Sequence, residues 1–185
     1  ALPPGLRVLD NFLSEAEEAE LLKHLDANGG RLWRASTFSG SSHTQTWGYK
    51  VDWGARTSRP ASEADNIPPW QRFIVDRFRD AHPSLAAWRA NQCNANEYVR
   101  SRGDFLRPHF DDRQFAGDII VNVSLLADCV MTFARPNSPV SFRVRLKRRS
   151  ASIMSRAARW DFTHEIKHED FEGERRISLN FRQVR

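Results

Sequence analysis

Apolar residues first fall into a pattern at GLRVLDNFL (residues 5–13), which reads as a short strand leading into a helix. Ser14 and Glu17 stand in capping-box spacing, and Leu21, Leu22 and Leu25 make the apolar stripe of a helix over the next turns. A second helix is expected from Pro68-Pro69, carrying Trp70, Phe73, Ile74 and Phe78 inward and ending before Pro83. From residue 91 onward the period changes. QCNANEYV, GDIIVNVSLL, VSFRVRL and RRISLNFRQV favour strands by alternation or composition. Short strands separated by turns suggest a closed or two-sheet barrel. In the final strand, Arg176, Ser178, Asn180 and Arg182 share one face, and Ile177, Leu179 and Phe181 share the other.

Between the helices lies a different stretch, residues 31–60. Ser, Thr and Gly are dense, and it holds Trp33, Trp47 and Trp53. Arg31, Arg34, Lys50, Arg56 and Arg59 face a single acid, Asp52. WGYKVDW alternates like one strand within what otherwise reads as loop. Aromatic faces that stack bases, interleaved with cations that meet phosphates, suit a flipped or single-stranded nucleotide. The same tryptophans would also serve simply to cover a barrel.

At 185 residues, with 40% apolar, 11% aromatic and 28% charged positions, the chain suits one globular domain. A formal charge of +5 invites an anionic partner. No apolar run approaches a membrane span, and no secretory pattern is visible. Cys93 and Cys129 fit neither a metal cluster nor a disulfide framework, so an intracellular setting, nucleus or cytoplasm, is expected. A second basic stretch, Arg143, Arg145, Lys147, Arg148 and Arg149, reads either as a solvated face or as a phosphate contact.

Two motifs compete for a metal. HEIKH (164–168) has the spacing of a helical zinc-peptidase motif. That reading needs a helix and a later third ligand, yet RWDFT before it is poor helix material and only a strand follows. The alternative begins at RPHFDDR. His109 and Asp111 lie on one side of an extended segment, and one distant histidine would complete the two-His-one-carboxylate set of non-haem iron oxygenases. Arg176 and Arg182 on one strand face are costly to bury without carboxylates. They would either grip a dicarboxylate such as 2-oxoglutarate or pair with internal acids on an exposed face.

Taken together, Asn96-Glu-Tyr98, His109-Phe-Asp111, His164 with its surrounding ARWDFTHEI, and Arg176 through Arg182 resemble the AlkB-type Fe(II)/2-oxoglutarate dioxygenases. QCNANEY with HFDD is most similar to the branch of the fourth human AlkB homologue. The resemblance implies an α+β fold, a double-stranded β-helix (jelly-roll) core with N-terminal helices and a lid. Residues 1–90 would supply the helices and lid, and 91–185 the catalytic core. It implies that His109, Asp111 and His164 hold Fe(II), leaving His168 a bystander. Arg176 would hold the far carboxylate of 2-oxoglutarate with help from Ser178. Arg182 would lie near the chelating carboxylate, with Asn96 and Tyr98 adding hydrogen bonds. Trp47, Tyr49, Asp112, Arg113 and Arg159 are the candidates for substrate contact. Repair members carry HxDxD, whereas this chain has Arg113 at the last position, and Ser178 stands where the bacterial repair enzyme has Asn.

The reaction implied is oxidative N-demethylation of a nucleobase in DNA or RNA, N6-methyladenine being the first candidate. Demethylation of lysine in a protein is the alternative, and a non-enzymatic binding barrel is a third reading.

Overall fold

The computed structural model describes residues 1–185. Strand β1 (Leu6–Leu9) leads to helix α1 (Glu15–Leu25). The Ser14 hydroxyl accepts from the Glu17 N–H, and the Glu17 carboxylate accepts from the Ser14 N–H, closing the expected capping box. Next come β2 (Arg34–Ser36), β3 (Gly40–Gly48), β4 (Lys50–Asp52) and β5 (Thr57–Arg59). Helix α2 (Pro69–Ala81) has proline at its start, where the missing N–H costs nothing. The remaining strands are β6 (Gln92–Val99), β7 (Phe105–His109), β8 (Ile120–Leu125), β9 (Cys129–Ala134), β10 (Ser141–Leu146) and β11 (Ala151–Met154). A short helix α3 (Arg156–Trp160), β12 (Thr163–Ile166) and β13 (Arg175–Arg182) complete the chain.

All pairings are antiparallel. One continuous sheet runs β1-β11-β8-β13-β6-β3-β7-β12-β9-β10, with β2 alongside β3. It folds over at β3, whose later residues pair with β6 while Gly40 and Ser41 pair with β7. The result is a nearly closed double-stranded β-helix. Residues 1–90 therefore contribute more than helices and lid, because β1 and β3 are members of the main sheet.

Two apolar layers hold it. Leu21 and Leu25 of α1 and Ile74 and Phe78 of α2 pack on Val121, Val123, Ile177, Leu179 and Phe181, covering the outer face of one half. Met131, Phe133, Val144, Leu146 and Ile166 fill one end between the halves with Met154 and Phe162. The alternation in β13 is thus resolved: its apolar face meets the helices, and its polar face looks into the barrel.

WGYKVDW is not one strand. Gly48 has φ +93, and a Cβ there would lie 2.1 Å from the Asn91 carbonyl oxygen. The chain turns at this close approach, ending β3 and starting the separate β4–β5 hairpin. No helix is long and apolar enough to cross a membrane.

Candidate active site

His109 ends β7, and the register places His164 of β12 directly opposite it. Asp111 follows two residues later on the loop. Nε2 of His109 lies 3.6 Å from Asp111 Oδ1, and Nε2 of His164 lies 3.7 Å from Oδ2. One donor atom from each of the three falls within 4.8 Å of the others. The His109 Nδ1–H donates to the Arg107 carbonyl at 2.8 Å, which turns Nε2 inward.

Burial would raise the Asp111 pKa, but the flanking rings of His164 and His109, with the Arg182 guanidinium beside them, hold it far below the usual carboxylate range. Burial pushes His164 down to about 4, so its imidazole is neutral and its lone pair is free. His109 moves the other way. Its burial cost is outweighed by the adjacent negative charge of Asp111. HEIKH starts on a strand rather than a helix: His164 in β12 joins the triad, while His168 sits in the following turn with Nδ1 donating to the Asp104 carbonyl.

The triad opens into a cavity of about 700 Å³ bordered by β3, β6, β13 and the lid hairpin. Asn96, Tyr98, Arg176, Ser178 and Arg182 all line it. Arg176 is 1% exposed; its Nη2 donates to Ser124 Oγ at 2.8 Å, and its Nε has no partner. Arg182 reaches Asp111 Oδ1 at 3.4 Å, leaving Nη1 buried and unpartnered. The Ser178 hydroxyl donates to Asn180 Oδ1 at 2.7 Å, and Ser124 Oγ is the side-chain atom that meets the Arg176 guanidinium. Tyr98 stacks on Phe171 with centroids 5.0 Å apart, and burial raises its phenol pKa.

Of the substrate candidates, Trp47, Tyr49 and Asp112 border the cavity, Trp47 resting edge-on against Trp70. The Asp112 carboxylate accepts the N–H groups of Gln114, Phe115 and Ala116, so it shapes the loop. Arg113 and Arg159 do not enter the cavity. Arg113 lies over Phe110 and donates to the Trp160 carbonyl. Arg159, 2% exposed, donates to the carbonyls of Asp111, Asp112 and Gly117. Burial lowers its pKa, and a local sequence reading has no means of seeing three backbone acceptors gathered from 42 to 48 residues away.

The two basic stretches separate cleanly. Arg143 pairs with Asp170, Arg145 with Asp128 and Glu172, Lys147 with Asp10, and Arg148 and Arg149 with Glu18. The phosphate-contact reading of that stretch gives way to an internally paired face. By contrast Arg31, Arg34, Lys50, Arg56 and Arg59 have no carboxylate within 4.0 Å. Trp33 is structural, its indole N–H donating to Asp26. At the cavity rim stand Trp53, 57% exposed, and Phe38, 85% exposed, which sequence reasoning passed over because a lone Phe between Thr and Ser carries no periodic signal.

The profile of the 2OG-Fe(II) oxygenase superfamily matches residues 5–182. The human "Alpha-ketoglutarate-dependent dioxygenase alkB homolog 4" is 26% identical over 98% of this chain and 67% of its own length. A Caenorhabditis elegans "DNA N6-methyl adenine demethylase" is 25% identical over 97% of the chain and 60% of its own. The chain thus spans about two thirds or less of these relatives. The solved structure of OsALKBH1 superposes with a TM-score of 0.74 at 18% identity, covering 99% of this chain and 98% of that one.

Proposed function

The chain belongs to the 2OG-Fe(II) oxygenase superfamily and is of its AlkB type, and on that footing we propose that it removes N-methyl groups from bases in nucleic acid. The residues present fit the cofactors the family uses. Two imidazoles and one carboxylate form a neutral-nitrogen and oxygen donor set suited to Fe(II). The orphaned Nε of Arg176 and Nη1 of Arg182 are donors awaiting an anion, which a dicarboxylate supplies.

His109, Asp111 and His164 would hold the iron, and Arg176, fixed by Ser124, would hold the remote carboxylate of 2-oxoglutarate. Arg182 would lie beside the chelating one, with Asn96 and Tyr98 in hydrogen-bonding reach. Bound together, iron and 2-oxoglutarate supply the oxidation of a methyl C–H bond by dioxygen, with release of succinate and CO2. The N-hydroxymethyl product loses formaldehyde and leaves N–H. The chain's own work is positioning. Arg159 anchors the loop that carries Asp111, the β13 polar face orients the co-substrate, and the lid holds the methylated group over the triad.

One observation carries the nucleic-acid reading: the cations around the lid are unpaired while those of the other basic stretch are all neutralised. A binding surface for phosphates has this asymmetry, and an ordinary solvated surface does not need it. Phe38 and Trp53 add faces on which a base can stack. Methyl-lysine remains the second reading, favoured by the aromatic rim alone.

The test is formaldehyde and succinate release from aerobic enzyme with Fe(II), 2-oxoglutarate and a single strand carrying N6-methyladenine, against its unmethylated twin. Formaldehyde from the methylated strand alone is expected. Formaldehyde from a methyl-lysine peptide and from neither strand would overturn the reading. Binding should also weaken as salt rises, with a log–log slope of about −0.7 per phosphate contacted.

A further inference from the structure

Five charged side chains border the cavity: Lys50, Arg176, Arg182, Asp111 and Asp112. Both carboxylates are already committed. Asp111 lies between the two imidazoles and Arg182. Asp112 is turned onto three backbone N–H groups. No third carboxylate faces the space. On the cationic side, Lys50 forms no ion pair, and Arg159 adds a buried charge directly behind the Asp111 loop. A divalent metal and a dianionic co-substrate cancel one another, so loading the site leaves this balance unchanged. A group entering beneath Phe38 and Trp53 therefore meets a positive field with no anion to answer a charge of its own.

The aromatic rim works against that field, but only weakly. Attraction of a cation to solvent-exposed rings is worth roughly two- to fivefold in binding. Were one uncompensated charge to stand ~8 Å from the entering group, in an effective dielectric near 20, it would disfavour a like charge by roughly thirtyfold. The Coulomb effect is the larger.

We infer that this cavity takes N-methyl groups on neutral centres, such as the exocyclic amine of N6-methyladenine, and rejects cationic ones, both ring-methylated adenine and the ammonium of methyl-lysine. The inference rests on the nucleobase reading and narrows it to one charge class. Lys50 is the specificity-determining residue, since it is the one cation of the cavity that neither the triad nor the β13 face engages.

Three fluorescein-labelled single strands test it, identical except for adenine, N6-methyladenine or cationic 1-methyladenine at one position. Binding is measured by anisotropy with Mn(II) and 2-oxoglutarate without oxygen, and formaldehyde release with Fe(II) in air. The N6-methyladenine strand should bind about tenfold or more tightly than the 1-methyladenine strand and be turned over faster. Lys50→Glu should narrow that ratio. Any loss of phosphate contact in the variant affects all three strands alike and cancels. Equal or tighter binding of the 1-methyladenine strand overturns the inference, as does a ratio unchanged in Lys50→Glu. Preferential binding of N6-methyladenine without formaldehyde from either strand would sustain the charge selection and sink the demethylase reading instead.

Discussion

Arg159 offers the sharpest test of how the loop carrying Asp111 is held. Its guanidinium donates to the Asp111, Asp112 and Gly117 carbonyls, and its plane lies 4.0 Å over the Trp160 ring. Arg159→Lys keeps the charge but replaces a rigid three-point fork with a compact ammonium that reaches one or two of these oxygens. Hydrogen bonds from a charged donor contribute about 1.5–3 kcal/mol each. Losing one or two, with partial rehydration from the cavity side, should cost about 3 kcal/mol. For a domain of this size that lowers Tm by roughly 6–12 °C. The second consequence is specific. A loop freed at Asp111 and Asp112 lets the carboxylate drift, and disturbing the group that orients a ligand typically weakens metal binding about 10–100-fold. Calorimetric titration with Co(II), well below the lowered Tm, measures this directly. A variant that melts earlier yet binds Co(II) with wild-type affinity would refute the positioning role and leave Arg159 a stability residue only.

His109→Ala and Asp111→Ala should each abolish succinate formation, whereas His168→Ala, whose ring only meets a backbone carbonyl, should retain most of it; equal loss in all three would sink the triad assignment. Ser124→Ala removes the one side-chain partner of Arg176 and should raise the 2-oxoglutarate requirement about fivefold, the worth of ~1 kcal/mol, with little change in kcat. Ser178→Ala should change it less, and the reverse order would contradict the geometry. Glu17, held down to about 2 by its hydrogen bond with Arg77 and by the Ser14 N–H, gives a pH-dependent term. Because its folded pKa lies below the ordinary 4.5, the stabilisation is present above pH 4.5 and vanishes as pH falls towards 2. Glu17→Gln keeps the capping box but loses the ion pair, so it should be less stable by up to about 1 kcal/mol at pH 7. Denaturation curves of the two proteins should converge as pH falls through that window.

Several parts of this protein are written in short stretches of chain. The capping box at Ser14 and the Pro-started helix over Trp70–Phe78 depend on neighbours three or four residues apart, and both helices are where that spacing puts them. Alternation in RRISLNFR depends only on the pleat, so its two faces were legible before any partner strand was known. The His109–Asp111 pair was legible too, because the two are two residues apart, and the resemblance to the AlkB-type family supplied His164.

Charge neutralisation was not legible, since it depends on pairing across the fold. The basic run from Arg143 to Arg149 looks free along the chain, but its partners Glu18, Asp128, Asp170 and Glu172 lie 17 to 130 residues away. The lid cations look no different in sequence, and only the fold shows them without acids. The same holds for Ser124 meeting Arg176, and for Arg159 turning to backbone carbonyls. By itself, the sequence determined the elements and their faces, because these follow from local periodicity, and it paired His109 with Asp111 two residues apart. Tertiary structure alone decided which charges are quenched and which side chains meet at the site, because those contacts exist only once antiparallel register brings distant strands side by side.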